Sequence, residues 1–271
     1  MDKELRKDDM SESEKFTDSR TTELNEIAEK LFEFCVENHL AIKGEQSSDR
    51  LVIMALYDII LELAGASLWM MNNRYCVGSA ALLRSLFEYD KYLHWLIDHP
   101  DQLRQRVHDA EKEQLKMVRD IEKSKNDIFK KTKQDPMFDA QKKHLEAETD
   151  GHAKQDIYNR CEDLNDLCGY TTIYRPLSQD VHPNLIRVWN RYFPMNDDGS
   201  LKMLSPELTG EYSLSKTCLL SLEDWISRAC LLSDILINST RKIHQFDSTL
   251  TKEIDKKLSE FKDEMLKGGM I

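Results

Sequence analysis

The sequence predicts an all-α fold, a multi-helix bundle with a long projecting helical hairpin. Three observations carry that expectation. Only 9 Gly and 6 Pro interrupt 271 residues, so chain breaks are few. Leu, Glu and Lys abound, and such straight-chain residues lose little rotamer freedom in a helix. Apolar residues recur three and four apart, and no stretch sustains a period of two. The length suits one large domain or two small ones. The chain reads as a flexible charged tail over 1–20 and a single helical domain over 21–271.

Each element has its own justification. From Glu23, the residues Leu24, Ile27, Leu31, Phe34 and Cys35 repeat at helical spacing. The stretch Gly44 to Asp49 breaks the pattern, and Ser48 or Asp49 offers an N-cap. The next helix, Arg50 to about Asn72, is apolar on most sides and so should be central. Asn72 and Asn73 supply a turn. A third helix runs from about Tyr75 to Ile97, and Pro100 ends it because its ring cannot follow a helical carbonyl.

The texture changes over 101–133. Leu103, Val107, Ala110, Gln114, Met117, Ile121, Ser124 and Ile128 alternate steps of four and three, a heptad seam in a charged remainder. One continuous helix there would be about 50 Å long. Residues 101–150 are therefore expected to project as a coiled-coil-like excursion, with the polar stretch from Pro136 to Gly151 forming the return. A further amphipathic helix carries Ile157, Cys161, Leu164 and Cys168 on one stripe, with Gly169 as its C-cap. After a short segment opened by Thr171 or Thr172 comes a long loop at 194–210, tightest at Asp198-Gly199. Two last helices follow, from Tyr212 to about Gln245 and from about Thr249 to Lys267.

Composition narrows the function. The net charge of −11 excludes a generally basic nucleic-acid coat, though not a local basic pocket. Six cysteines, at 35, 76, 161, 168, 218 and 230, contain no CxxC, so a zinc knuckle or redox pair is not expected. The N-terminus lacks the apolar core of a secretory signal. Leu51 to Met71 is the one membrane-like span, but it holds Asp58 and Glu62, each costing about 2.5–3.5 kcal/mol at bilayer centre. A cytoplasmic protein without a membrane anchor, metal or cofactor is the expectation. Phosphate-loop, dinucleotide and esterase motifs are all missing from the sequence.

Three groups of polar residues stand out. Arg84 and Glu88 share a face of an otherwise apolar helix, and a buried charge needs such a partner. Asp58 and Glu62 repeat that spacing on the preceding helix, where like charges either call for a cation such as Arg84 or simply face solvent. Tyr174, Ser178 and His182 are four and four apart, and Pro183 places the imidazole at a helix C-terminus, which favours the protonated ring. The same segment contains Arg175, seven residues before His182. An imidazole acting as acid or base beside a guanidinium that holds a scissile phosphate suits RNA cleavage. Glu62, Glu88 and His182 form an alternative ligand or metal set, and Arg187 and Arg191 are the nearest further cations.

The segments ALLRSLFEYDKYLHWL and YRPLSQDVHP together resemble an uncharacterised, mostly bacterial helical family known only as a domain of unknown function. The positions that carry the likeness are Arg84, Glu88, Trp95, Tyr174, Leu177, Ser178 and His182, over roughly Val52 to Phe193. Arg175 and His182 are also similar to the arginine–histidine hallmark of the HEPN superfamily of helical ribonucleases. That likeness implies metal-independent RNA cleavage in a toxin or phage-defence setting, with His182 as acid or base, Arg84 or Arg175 as phosphate clamp and Glu88 as orienter. Pro176 stands where HEPN proteins carry a polar residue, which keeps Arg84 in contention with Arg175. The competing expectation is a non-enzymatic interaction protein that binds a partner, or a second copy, through the 101–133 helix.

Overall fold

The computed structural model describes residues 19–39, 48–148, 156–182 and 220–267. Helices dominate these residues and they include no β-strand. The bundle is built from α1 (Ser19–His39), α2 (Ser48–Asn72) and α3 (Cys76–Asp98) together with two C-terminal helices, α10 (Leu222–Phe246) and α11 (Lys252–Lys267). Leu24, Leu31 and Cys35 of α1 bury the stripe their spacing implies. Burial pushes the Cys35 thiol up to about 12, so it acts as a small apolar group.

Helix α2 is long and apolar enough to cross a membrane by composition alone. Its inner face nevertheless supplies core: Ile53, Tyr57, Ile60, Ala64, Leu68 and Met71 are buried. Gly65 lets α1 come close, because a Cβ there would sit 2.9 Å from the Phe32 ring. Arg74, at a left-handed φ of 60°, turns the chain from α2 into α3. Its side chain holds the Leu220 carbonyl at 3.3 Å, where the chain enters α10.

Asp58 and Glu62 both face outward, and Asp58 pairs with His39 rather than with Arg84. Of the two arrangements the spacing allows, the pair takes the solvent-facing one, and Arg84 is not its partner. The wet side of α2 is simply the side that can hydrate two carboxylates.

The 101–133 stretch also departs from expectation. After a 3₁₀ turn at Pro100–Gln102, α4 (Leu103–Lys123) stops well short of residue 133. Ser124 adopts an extended backbone, and Asn126 caps a new turn by accepting the Ile128 amide. Lys133 donates to the Ser124 carbonyl, which ties the reversal. The short α5 (Lys130–Lys133) then leads into α6 (Pro136–Glu148), which packs on α4. The buried side chains are Leu115, Val118, Phe138 and Leu145, with Ile121 packed against them. Gln114 is exposed, as are Met117 at 57% and Ile128 at 73%. The working stripe is thus offset by about one residue from the heptad seam. The return helix meets the Leu115/Val118 face, and a helix offered two weak stripes buries the one its neighbour covers.

The segment after residue 156 is likewise broken differently. Helix α7 (Ile157–Asp163) ends at Leu164–Asn165, where Asn165 has φ 55°. A new rod starts at once as α8 (Leu167–Gly169), continues as a π-helix over Tyr170–Tyr174 and ends as α9 (Arg175–Val181). Gly169 is inside this rod rather than a C-cap. Its amide is capped by the Asp166 carboxylate at 3.0 Å, so tightly that a Cβ would lie 2.6 Å from that group. Cys161 is buried, whereas Cys168 is exposed. The expected loop at 194–210, the start of the helix expected from Tyr212, Arg187 and Arg191, and the first 18 residues lie outside the described residues.

Candidate functional site

Helices α3 and α9 pack against each other, and their polar residues meet on the shared rim. Arg84 and Glu88 follow one another by a helical turn, and their ion pair closes at 3.1 Å. Across from them, the Tyr174 hydroxyl donates to Glu88 Oε1 at 2.8 Å and accepts from the Arg84 guanidinium at 3.2 Å. That guanidinium also stacks over the Tyr174 ring, 5.4 Å from its centroid. His182 completes the group, with its Nε2 3.5 Å from Arg84 Nη1.

Local backbone explains the placement. His182 is the C-cap of α9, in extended conformation, and its amide donates to the Ser178 carbonyl at 3.0 Å. The ring therefore leaves the helix end and turns to α3. The π-helix ends at Tyr174, and π turns often mark functional positions.

Electrostatics follow the contacts. Burial disfavours the charge on Arg84, but Tyr174 and Glu88 outweigh it and raise the guanidinium above its usual value. Burial, with Glu88 adding to it, raises the Tyr174 hydroxyl against the pull of Arg84. The group thus keeps a fixed cation, a neutral phenol and an imidazole nitrogen facing that cation.

The structure joins Arg84, Glu88, Tyr174 and His182, and it separates the rest. Ser178 is half-buried one turn before His182, where its carbonyl rather than its hydroxyl meets the histidine. Arg175 is exposed, two helical turns from His182, so Arg84 is the arginine beside the imidazole. The set is also less enclosed than expected. The Arg84 and Glu88 side chains are 24% and 36% exposed, and His182 is exposed. His182 is the C-cap at which α9 ends, so this helix adds no further turn over it. Glu62 belongs to the outer side of α2, and among the described residues no three His, Cys, Asp or Glu side chains converge to hold a metal ion.

Two residues that support the site escaped the sequence reading. Arg228 of α10 is buried, donating to the Cys76 carbonyl at 2.5 Å and to Ser79 Oγ at 2.6 Å. It also lies 3.8 Å from Asp180, so it anchors α9 two residues before His182. The signal was present: Arg228 interrupts the apolar stripe through Trp225, Ala229 and Leu232.

A second polar cleft of about 530 Å³ opens beside Phe87, between α3 and α10. Its cations are already matched. Lys91 bridges Asp90 at 3.1 Å and Asp166 at 2.9 Å, Lys242 holds Asp98, and Arg241 holds Asp255. Asp90 also accepts from Ser239 at 2.7 Å. This network of ion pairs ties α3 to α10.

No curated protein and no solved structure matches the chain. A model of a family of unknown function, DUF5677, matches residues 50–200, which span α2, α3, the α4–α6 hairpin and the whole Arg84–Glu88–Tyr174–His182 group. Because that match covers more than half of the 271 residues, the chain belongs to this family of unknown function.

Proposed function

We propose that the Arg84–Glu88–Tyr174–His182 group cleaves RNA without a metal ion, in the manner of HEPN ribonucleases. The observation that carries this reading is the 3.5 Å approach of His182 Nε2 to the Arg84 guanidinium. His182 takes the proton of a ribose 2′-hydroxyl. The freed oxygen attacks phosphorus, the bond to the 5′-oxygen breaks, and that oxygen is protonated by water at this open rim. Arg84 neutralises the charge that builds on the phosphate oxygens. Glu88 and Tyr174 hold the guanidinium in place. Partial exposure favours a polymer, since a chain can lie across a rim that would not enclose a small molecule.

The test is a cleavage assay in chelator. The parent protein should leave 2′,3′-cyclic phosphate ends, and folded His182→Ala should leave RNA intact. Equal cutting by both proteins would remove the enzyme reading.

A docking role draws on a different observation. Met117, Ile128 and Met137 are exposed on the α4–α6 hairpin, beside a cavity of about 410 Å³ lined by Met117, Ile121 and Phe129. Glu113, Lys116 and Asp120 also line that cavity. Lys123, Lys125 and Lys131 are exposed close to Ile128 in sequence on a chain of net charge −11, so an acidic face of a second copy is the occupant this reading names. Light scattering decides it: a parent dimer that Ile128→Ser turns into monomer supports docking, and a monomeric parent sinks it.

A further inference from the structure

The polar cleft beside Phe87 holds more carboxylate than its own cations can match. Lys91 bridges Asp90 and Asp166, so that trio carries a charge of −1. Lys242 with Asp98, and Arg241 with Asp255, are neutral pairs. Asp234 also lines the cleft, exposed on α10, and makes no ion pair or hydrogen bond among the described residues. It adds a second negative charge. Burial lowers the pKa of His94, so its ring is neutral at physiological pH and offsets neither. The trio and Asp234 together leave the cleft at −2.

The rest of the lining says what kind of cation fits. The surplus charges sit on separate elements, Asp166 at the start of α8 and Asp234 in the middle of α10. Among the described residues no three His, Cys, Asp or Glu side chains converge on a metal ion, so one compact ion does not match them. An anion does not either, because each lining lysine and arginine already holds a carboxylate. The cleft is also partly apolar, through Phe87, Leu164, Ile173, Leu231 and Ile235. Asn238, half-buried one turn after Asp234, makes no bond among the described residues, and its amide oxygen can accept from an ammonium. On α10 the lining runs from Leu231 to Gln245, about 21 Å of helix. The volume of about 530 Å³ suits a small organic molecule.

We propose that this cleft binds an aliphatic diamine, a dication with an ammonium at each end of a methylene stem. One ammonium donates to the Asp234 carboxylate and the Asn238 amide oxygen. The other answers the surplus carboxylate around Lys91. The stem lies against the apolar wall, as a lysine stem does, and each methylene it buries adds affinity. A monoamine covers the same wall but leaves one of the two charges unmatched.

The experiment is calorimetry on the full chain at about 0.15 M salt, which screens exposed charges that lie far apart. The titrants are cadaverine and pentylamine, which share one stem and differ by one ammonium. Cadaverine should bind one per chain, at least about tenfold tighter than pentylamine. Asp234→Asn, an exposed change whose melting curve should match the parent, should weaken cadaverine by about 5- to 20-fold. Glu223→Gln removes the same charge at the exposed start of α10, outside the cleft, and should leave binding unchanged.

No saturable binding of cadaverine, or equal affinity for the two amines, overturns the site. An equal loss in Asp234→Asn and Glu223→Gln does so too, because it reports a diffuse counter-ion cloud. Trilysine that outcompetes cadaverine and depends on Asp234 would mark a groove for a basic peptide and overturn the small-molecule assignment. RNA cleavage at Arg84 and His182 stands or falls separately, since none of these titrations contains RNA.

Discussion

Replacing Arg228 with Met removes a charge while keeping most of the buried stem, so the loss is electrostatic. The guanidinium gives up its bonds to the Cys76 carbonyl and Ser79 Oγ and its ion pair with Asp180. Each hydrogen bond to a charged group contributes about 1.5–3 kcal/mol. Part is recovered, because Ser79 still donates to the Tyr75 carbonyl at 2.7 Å and Asp180, 16% exposed, can hydrate. The net cost is then about 3 kcal/mol, at the lower edge of the range for breaking a buried pair. For a chain of this length that lowers Tm by roughly 5–10 °C. The assay is a circular dichroism melt combined with amide exchange. Exchange should rise over α9, the helix that Asp180 ties down, and stay unchanged in the α4–α6 hairpin. A Tm within about 1 °C of the parent, or uniform exchange, would show that Arg228 does not hold α9 and that the placement of His182 has another cause.

Three further outcomes follow from the same contacts. Tyr174→Phe loses the hydroxyl between Arg84 and Glu88, which should slow RNA cleavage by about 10- to 100-fold while the ion pair keeps the fold; an unchanged rate removes Tyr174 from the site. Leu145→Ala should cost about 2–4 kcal/mol locally, seen as lost amide protection over α4 and α6 with the main bundle unaffected; global destabilisation of equal size would contradict a separate hairpin core. Burial lowers the pKa of both His94 and His244 from 6.5, so the folded state prefers neutral rings. Their contribution is whole above about pH 6.5 and is lost as pH falls, so the urea midpoint should drop between about pH 7 and 5, and less steeply in His244→Gln; a flat midpoint refutes it.

Much of the architecture was legible because it rests on periodicity. Leu24, Leu31 and Cys35, or Trp225, Leu232 and Leu236, need only a 3.6-residue repeat to reveal a buried stripe. The Arg84–Glu88 pair and the Tyr174/His182 spacing were legible for the same reason, since helical geometry fixes which residues share a face. What failed depended on contacts distant in sequence. The helix expected over 101–133 stops at Lys123 because Lys133 and α6 return to it, and no local pattern encodes that meeting. Gly169 looked like a stop, yet Asp166 caps the next rod from three residues before it. The openness of the site depends on where α9 ends relative to α3, so Arg84 and Glu88 seemed buried from their apolar neighbours alone.

The most direct test is a double-substitution cycle on RNA cleavage with Arg84→Ala, His182→Ala and both together. If guanidinium and imidazole act as one unit, each single change removes nearly all activity and the double variant is no slower than either. Losses that simply multiply, or a folded parent that leaves RNA uncut, would contradict the claim that these two groups form one catalytic centre.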